Sequence, residues 1–328
     1  MVVHRDINNL PLFRNAVVTI GTFDGVHTGH LQIIHQLKKE AFAVDGETVI
    51  ITFDPHPRMV INPTRQKANP VQLLTTLEEK IGLLEKQNID HLVVVPFTEK
   101  FSEQTPEGYI QNFLAEKFHP HTIIIGYDHH FGKDRKGNYQ LLEQFQSKFN
   151  YKVKEIPEHV LHHITISSTN IRNALKENDV ATANECLGYS YFFEGTVMHG
   201  DKLGRTLGYP TANIKVTDEN KLIPADGIYA VKVSIPVSPV NGQSSMVSRT
   251  SYTAHHKGMM SIGVRPTVGG TSRVIEVNIF DFNEDIYNKT IRVYVEHFLR
   301  PEIKFDTLDL LKQQIAIDKI NSLQLLKD

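Results

Sequence analysis

Fifteen consecutive residues decide the fold of the first half of the chain: Ala16-Val17-Val18-Thr19-Ile20-Gly21-Thr22-Phe23-Asp24-Gly25-Val26-His27-Thr28-Gly29-His30. The first five are mostly apolar or β-branched, which is typical of a buried strand, and a helical pattern from Leu31 to Ala43 follows. A strand that passes through glycines into a helix start leaves the first helical amides unpaired at the positive end of the helix dipole. His27 and His30 are three residues apart and share one face of a first helical turn. The stretch therefore predicts a site where two imidazoles and free amides hold a triphosphate.

The composition is that of an ordinary globular protein large enough for two domains. The 328 residues are 40% hydrophobic and 22% charged, and the net charge of −2 offers no broad cationic surface to a nucleic acid. The single cysteine, Cys186, excludes an internal disulfide and a cysteine zinc cluster. No apolar stretch approaches the roughly 20 residues that cross a membrane, and the first residues lack an apolar signal core. We therefore expect a cytoplasmic protein, monomeric or homo-oligomeric, without nucleic-acid or membrane partners.

Strand and helix patterns alternate through the first half of the chain. Strands are expected at 16–20, 48–53, 91–96, 122–125 and 151–156, and helices between them at 31–43, 77–86, 107–118 and 139–149. This alternation predicts a parallel, doubly wound sheet. Ligands of such sheets bind beyond the carboxyl ends of the strands, where the glycine and histidine turns fall.

The pattern changes in the second half. After helical stretches near 170–177 and 180–186, short β-like runs follow at 192–198, 228–235, 259–264, 274–280 and 290–298, separated by turn residues. They predict a small antiparallel barrel or sandwich, with a C-terminal helix from Thr307 packed on it. We place the domain boundary so that the domains are 1–186 and 187–328. The segment 236–258 is unusually long for a loop in a compact domain.

Three more segments are expected at the ligand edge of the first sheet. Thr52-Phe53-Asp54-Pro55-His56-Pro57 ends the second strand, and its prolines stiffen the turn that carries Asp54 and His56. Gly126-Tyr127-Asp128-His129-His130-Phe131-Gly132 follows the fourth strand with polar groups that suit a base or a phosphate. Ser167-Ser168-Thr169-Asn170-Ile171-Arg172 starts a helix and offers hydroxyls, amides and a guanidinium to an anion. Each segment alone also fits a plain structural role, as a stiff turn, a solvated loop or a helix cap.

In this order the four segments resemble the FMN adenylyltransferase module of bacterial bifunctional riboflavin kinase/FAD synthetase, and 74–80 and 95–98 also resemble it. The resemblance implies an α/β nucleotidyltransferase fold with a Rossmann-like parallel sheet. It implies that His27 and His30 bind the ATP phosphates and stabilise the leaving pyrophosphate, and that Ser168, Thr169 and Arg172 hold the phosphates from the other side. The other nucleotide contacts assigned on this basis are Gly21, Phe23, Asp24, Gly25, Gly29, Asp54, His56 and Asp128. His130 stands where the family often has arginine, a stronger fixed cation.

A second glycine-rich run opens the other half, from Gly195-Thr196-Val197-Met198-His199-Gly200 to Pro210-Thr211-Ala212-Asn213. Its glycines allow a phosphate chain to approach the backbone, and Thr211 and Asn213 supply neutral oxygens that suit Mg²⁺. A barrel turn without a ligand has the same composition. The run resembles the riboflavin kinase module, whose Pro-Thr-Ala-Asn motif binds MgATP. By that resemblance Thr211 and Asn213 contact magnesium and nucleotide, and the remaining nucleotide contacts are Gly195, Lys202, Gly204 and Arg205.

The segments Ile262-Gly263-Val264-Arg265-Pro266-Thr267 and Ile275-Glu276-Val277 complete the kinase resemblance, which puts the catalytic base at Glu276. That base would take the proton of the ribityl hydroxyl as its oxygen attacks the γ-phosphorus. The alternation of polar and apolar residues over 274–279 fits an exposed strand residue equally well. Asn278 departs from the histidine of the family pattern, and Asn288 departs from its glycine.

The resemblance covers about residues 10–325 and implies a bifunctional enzyme. Its C-terminal barrel kinase domain, with a C-terminal helix, would make FMN from riboflavin and ATP, and its N-terminal domain would make FAD and pyrophosphate from FMN and ATP. Both reactions would need Mg²⁺ and neither a covalent intermediate. Three alternatives stay open: an enzyme with one active module, a flavin-binding regulator without catalysis, and a nucleotidyltransferase for another substrate, which leaves the second half unexplained.

Overall fold

A computed structural model describes residues 1–61, 70–127, 129–156, 166–200, 204, 208–236, 255–267 and 270–326. Contacts divide the chain into two compact units, an N-terminal unit (Met1–Ser168) and a C-terminal unit (Thr169–Asp328). The predicted nucleotide contacts Asp128, Lys202 and Arg205, and most of segment 236–258, lie outside the described residues.

The N-terminal unit is built on a six-stranded parallel sheet, which confirms the predicted fold class. The strand order is β1-β4-β3-β2-β5-β6. The direction of winding reverses between β2 and β5, and this is the place where open α/β sheets form a ligand crevice. The strands are β1 Val2–His4, β2 Val17–Ile20, β3 Thr48–Asp54, β4 His91–Pro96, β5 Thr122–Gly126 and β6 Lys152–Ile156.

The sheet is covered on both faces, since successive residues of its central strands belong to two different cores. Val18 and Ile51 lie in one core, whereas Val17 and Ile50 lie in the other. This explains the nearly continuous apolar runs of these strands. The helices are α1 Thr28–Ala43, α2 Pro57–Ile61, α3 Leu77–Glu85, α4 Glu99–Ser102, α5 Pro106–Gly108, a π-helical turn Tyr109–Ala115, α6 Glu116–Phe118, a 3₁₀ turn Lys133–Arg135 and α7 Tyr139–Phe149.

The C-terminal unit is a closed antiparallel barrel, which decides between the predicted barrel and sandwich. Its strand order is β10-β11-β8-β7-β12-β9, and β9 closes the barrel by pairing with both β10 and β12. Closure leaves no unpaired strand edge. The elements are α8 Ser168–Lys176, α9 Val180–Leu187, β7 Phe192–Met198, β8 Ala212–Val216, β9 Gly227–Ser234, β10 His256–Thr267, β11 Gly270–Ile279, β12 Thr290–Arg300 and α10 Leu308–Leu325.

The C-terminal helix α10 packs on the barrel, as the sequence predicts. Asp318 of α10 is buried and forms an ion pair with Arg300 at the end of β12, with Nη2 and Oδ2 2.7 Å apart. Contacts group α8 and α9 with the barrel, because the division falls at residue 168. Within the residues that the structure describes, no helix is long and apolar enough to span a bilayer.

Candidate active sites

The loop between β2 and α1 has an unusual backbone. Phe23, Gly25 and Val26 have φ angles of 47°, 85° and 38°. Positive φ is uncommon for side chains other than glycine, and each such position costs about 1–3 kcal/mol. The loop is therefore held in a shape that an unconstrained chain would avoid, as loops at ligand sites often are.

Asp24 holds this loop in place. Its carboxylate is 1% exposed and accepts hydrogen bonds from the amides of Leu74 (3.2 Å) and Thr75 (3.0 Å). The amide of Gly25 donates to Oγ1 of Thr75 at 3.0 Å, and Oγ of Ser168 donates to the carbonyl of Asp24 at 3.0 Å. The predicted nucleotide contacts Asp24, Gly25 and Ser168 are thus brought together, and in this structure the Asp24 carboxylate faces the 74–75 segment.

His27 and His30 lie side by side at the start of α1, as the three-residue spacing predicts. Their ring centroids are 3.7 Å apart with planes inclined by 19°. Helix α1 begins at Thr28, three residues earlier than the hydrophobic pattern indicates, so both imidazoles flank its first turn. A Cβ atom at Gly29 would lie 3.2 Å from the His27 ring, which leaves little room for any other residue there.

The electrostatics of the pair keep His30 neutral. Burial, and then the nearby His27 and Lys80, lower the pKa of His30 well below its ordinary value of 6.5. Among the described residues, the buried Nδ1 of His30 has no hydrogen-bond partner. A neutral imidazole offers one donor and one acceptor nitrogen, and an incoming phosphate would favour its protonated form.

The turn after β3 adds polar groups at the same sheet edge. Asp54 is exposed at the end of β3, and Nδ1 of His56 accepts the amide of Arg58 at 3.2 Å. Gly21 follows β2 and donates its amide to the carbonyl of Ile51 at 3.0 Å. His130 is exposed, and the predicted contacts Thr169 (exposed) and Arg172 (half-buried) lie in the first turns of α8.

Sequence reasoning missed Lys80. It lies on α3 with 6% of its surface exposed, and its Nζ donates to Oγ1 of Thr52 at 3.3 Å. Burial lowers the pKa of Lys80, and the carboxylates of Asp24 and Asp54 oppose that shift. The available signal was a lysine on the apolar stripe of a helix, beside Ile81 and one turn before Leu84.

The second cluster lies in the barrel around Glu276. On β11, Glu276 is in register with Asn213 of β8 and Ser261 of β10. Oγ1 of Thr211 donates to Oε1 of Glu276 at 3.4 Å, and Nη2 of Arg265 is 3.9 Å from its Oε2. The predicted site residues Thr211, Asn213 and Glu276 therefore lie close together. The side chain of Glu276 is 31% exposed and lines a cavity.

That cavity has a volume of about 490 Å³ and lies between the barrel and α10. Its polar lining residues include Thr211, Arg265 and Glu276, with Arg300, Glu302, Asp306 and Asp318 also at its wall. The apolar lining residues include Ile228, Met259, Met260, Ile303, Phe305, Leu308, Leu311 and Ile315. A cavity of this size that combines apolar walls with polar groups is typical of a site for a drug-sized ligand.

Asn278, which stands where the resemblance predicts histidine, forms a structural hydrogen bond in this chain. It is 6% exposed, and its Nδ2 donates to the carbonyl of Pro210 at 2.6 Å. The bond fixes the backbone immediately before Thr211. Gly204 packs against the same turn, where a Cβ would collide with the carbonyl of Tyr209, and Gly195 lies within β7.

The chain is similar to known proteins over both of its halves. Residues 11–170 match the family model for FAD synthetase, and residues 187–326 match that for riboflavin kinase. The chain is 38% identical to the bifunctional riboflavin kinase/FMN adenylyltransferase of Listeria monocytogenes, over 93% of this chain and 90% of the relative. It is 34% identical to the Haemophilus influenzae protein of the same name (94% and 93% covered) and 31% identical to that of Escherichia coli K12 (98% and 97%). A crystal structure titled macrolide-efflux protein, from Streptococcus pneumoniae, is also similar, with a TM-score of 0.82, 29% identity and 98% of both chains covered.

Proposed function

The chain belongs to the bifunctional riboflavin kinase/FMN adenylyltransferase family, and we propose that each of two modules, 1–186 and 187–328, carries one of the two reactions on the residues described above. The enzyme phosphorylates riboflavin to FMN and adenylylates FMN to FAD, with ATP as co-substrate. The kinase family model begins at residue 187, which supports a boundary between modules at 186/187. A cytoplasmic location, in a monomer or a homo-oligomer, completes the proposal.

The observation that carries this assignment is that each unit holds a separate polar cluster suited to one reaction. The histidine pair lies at the reversal of the parallel sheet, and Glu276 lies in the cavity of the barrel. A binding protein would need neither a base beside a flavin-sized cavity nor a clamp for a leaving anion. The two clusters therefore favour catalysis at both sites over a regulatory role.

At the adenylylation site, the FMN phosphate oxygen attacks the α-phosphorus of ATP as the bond to the pyrophosphate oxygen breaks. His27 and His30 donate hydrogen bonds to phosphate oxygens, and protonation of His30 near the anion would let it meet the charge that develops on pyrophosphate. The first helical amides, such as that of Gly29, would complete the anion site. The amides of Gly21 and Gly25 are hydrogen-bonded to Ile51 and Thr75, so the proposed nucleotide contacts of Gly21, Phe23 and Gly25 rest on their motif. Two further sets of contacts are proposed from their motifs. Ser168, Thr169 and Arg172 would contact the phosphates, and Asp54, His56 and Asp128 would contact the nucleotide.

At the kinase site, Glu276 acts as the general base. It takes the proton of the terminal ribityl hydroxyl while that oxygen attacks the γ-phosphorus and ADP leaves. The hydroxyl of Thr211 donates to one carboxylate oxygen, and Nη2 of Arg265 lies 3.9 Å from the other. The apolar lining of the cavity suits the flavin ring, and Gly195, Lys202, Gly204 and Arg205 are the proposed contacts with the ATP phosphates.

The kinase cluster also fits Mg²⁺. Thr211 Oγ1 is within 3.4 Å of the Glu276 carboxylate, and Asn213 lies opposite Glu276 in the strand register, so neutral and anionic oxygens converge. Such hard oxygen donors are the ligands that Mg²⁺ prefers. Thr211 and Asn213 would hold the ion, which would neutralise phosphate charge when bound.

Chromatography of flavins after incubation with ATP and Mg²⁺ tests the proposal, with riboflavin in one reaction and FMN in another. We expect FMN and then FAD from riboflavin, and FAD from FMN. His30→Ala should abolish FAD formation and leave FMN formation intact, and Glu276→Gln should do the reverse. Loss of both products in either variant, with the protein still folded, would overturn the division of the two sites, and no product from the wild type would favour a flavin-binding regulator.

A further inference from the structure

The buried cation Lys80 has no role in the reactions assigned above, although it lies under the adenylylation site. Its Nζ donates to Oγ1 of Thr52 at 3.3 Å, and that hydroxyl in turn donates to the carbonyl of Thr22 at 3.1 Å. This chain of bonds joins α3 to the end of β3 and to the loop that carries His27. Lys80 is thus connected through Thr52 to the backbone of the loop that positions the histidine pair.

A lysine at this position is costly for folding alone. It occupies the buried face of α3 next to Ile81, where an apolar side chain of the same length would avoid the desolvation of an ammonium group. Burying an ammonium costs several kcal/mol even after the protein relaxes. The position therefore calls for a reason beyond packing.

The neighbouring carboxylates supply only part of that reason. Asp24 is buried, but it already accepts two backbone amides and lies 3.3 Å from Oγ1 of Thr75. Asp54 is exposed, so water can solvate its charge. Both carboxylates favour the charged form of the lysine, but the hydrogen bonds described for the Asp24 carboxylate come from Leu74 and Thr75 and not from Lys80.

We propose that Lys80 is a positioning residue of the adenylylation site: a fixed positive charge beneath the His27–His30 pair that prepares it to receive the triphosphate of ATP. The inference rests on the proposed role of the two histidines in adenylylation. A fixed charge of this kind needs no reorganisation when negative charge develops on the leaving group, and this is how preorganised sites gain rate.

The surroundings of His30 agree with this role. The ring of Phe23 packs against it at a centroid distance of 4.9 Å. Among the described residues, the charged or titratable groups that act on it are His27 on its own turn and Lys80 on α3. Asp24 and Asp54 act on Lys80 from the ends of the two neighbouring strands. Both His27 and Lys80 disfavour a proton on His30 in the free protein, and only an incoming anion would reverse that preference.

Four variants separate charge from packing and from hydrogen bonding. Lys80→Met keeps the length of the side chain and removes its charge, Lys80→Gln also keeps a donor for Thr52, and Lys80→Arg keeps the charge. Lys86→Met is the matched control, because Lys86 is an exposed lysine at the end of the same helix. The riboflavin kinase activity and thermal unfolding of each full-length variant report on its folding.

Lys80→Met and Lys80→Gln should lower kcat/KM for ATP in FAD formation by about 10- to 100-fold, less than the ~10²–10³ typical of a donor that touches the reacting oxygen. Lys80→Arg should recover part of the loss, and Lys86→Met should behave as wild type. In the ligand-free protein, NMR titration should show the midpoint of His30 at a higher pH in Lys80→Met and Lys80→Gln than in wild type.

The outcomes distinguish this inference from the function on which it rests. Wild-type protein that makes no FAD would contradict the proposed function itself. FAD formation within twofold of wild type in Lys80→Gln, or an unchanged His30 midpoint, would refute the role of Lys80 while leaving the function intact. A loss of FAD formation that appears equally in Lys80→Arg, together with a lower unfolding temperature, would make Lys80 a purely structural residue and overturn the proposal.

Discussion

Replacing Asp318 by asparagine tests whether one buried ion pair holds α10 over the barrel cavity. Asp318 is 3% exposed, and its carboxylate accepts hydrogen bonds from Arg300 and Gln314. The Arg300 bonds come from Nε at 3.0 and 3.2 Å and from Nη2 at 2.7 Å, and the Gln314 bond comes from Nε2 at 3.0 Å. Asparagine preserves the volume but leaves the guanidinium, whose side chain is 18% exposed, without its counter-charge. Because Leu311 and Ile315 of the same helix line the cavity, the effect should reach the flavin site.

The magnitude follows from the burial of the pair. Removing one partner of a buried ion pair costs about 3–5 kcal/mol, because the other charge is left uncompensated. Arg300 keeps its bond to the carbonyl of Pro301 (3.0 Å) and its position 5.9 Å from the ring of Phe305, so we expect the lower end, about 3 kcal/mol. In a domain of this size each kcal/mol shifts the unfolding midpoint by about 2–4 °C, so the barrel transition should fall by about 6–12 °C.

Differential scanning calorimetry and riboflavin kinetics on the same samples provide the assay. Asp318→Asn should lower the midpoint of the barrel transition and raise KM for riboflavin several-fold, whereas FAD formation from supplied FMN should stay unchanged. Asp309→Asn, an exposed change in the first turn of the same helix, is the control. The double variant Arg300→Met with Asp318→Leu should recover much of the stability, since well-packed apolar pairs often match buried ion pairs. A drop of less than about 2 °C with an unchanged KM would refute the reasoning, because it corresponds to at most about 1 kcal/mol.

Three further predictions concern the two sites. Asn278→Ala removes the donor to the carbonyl of Pro210 and should lower kcat/KM for riboflavin phosphorylation by up to about tenfold, in line with the ~0.5–1.5 kcal/mol of a typical hydrogen bond; normal kinetics would mean that Thr211 does not depend on this bond. Asp24→Asn weakens charge-assisted hydrogen bonds to the 74–75 segment and should destabilise the N-terminal unit by about 1.5–3 kcal/mol in urea unfolding; an unchanged midpoint would show that the loop is held by other contacts. The pKa of His30 is depressed in the folded state, so below pH 6.5 the unfolded chain binds a proton at His30 that the folded chain does not bind. The free energy of unfolding of the N-terminal unit should therefore fall by up to about 1.4 kcal/mol per pH unit below that value. His30→Gln should flatten this slope between pH 6.5 and 5.5, and an equal slope in both proteins would assign it to other groups.

Local patterns in the sequence predict the individual elements and the chemistry that they carry. The strands, the long helices and the glycine-rich turns follow from periodicity, because apolar spacing reports directly which face of a helix or strand is buried. Periodicity also identifies His27 and His30 as a pair, since a spacing of three positions puts them on one face of a helical turn. Short elements escaped this reasoning: β1 has three residues, Val2–His4, and β8 has five, Ala212–Val216, and runs of that length carry too little pattern to be told from a loop.

Which of these elements lie together depends on long-range packing. Strand order, with its reversal between β2 and β5, depends on long-range pairing that no local window contains. Glu276 and Thr211 are sixty-five positions apart and meet because β11 pairs with β8 in one register. Lys80 has the sequence context of an ordinary helix lysine, and only packing shows that it is buried near His30. The physical reason is the same in each case: periodicity encodes the conformation of neighbouring residues, whereas burial, pKa and the convergence of distant side chains are set by the surfaces that pack against them.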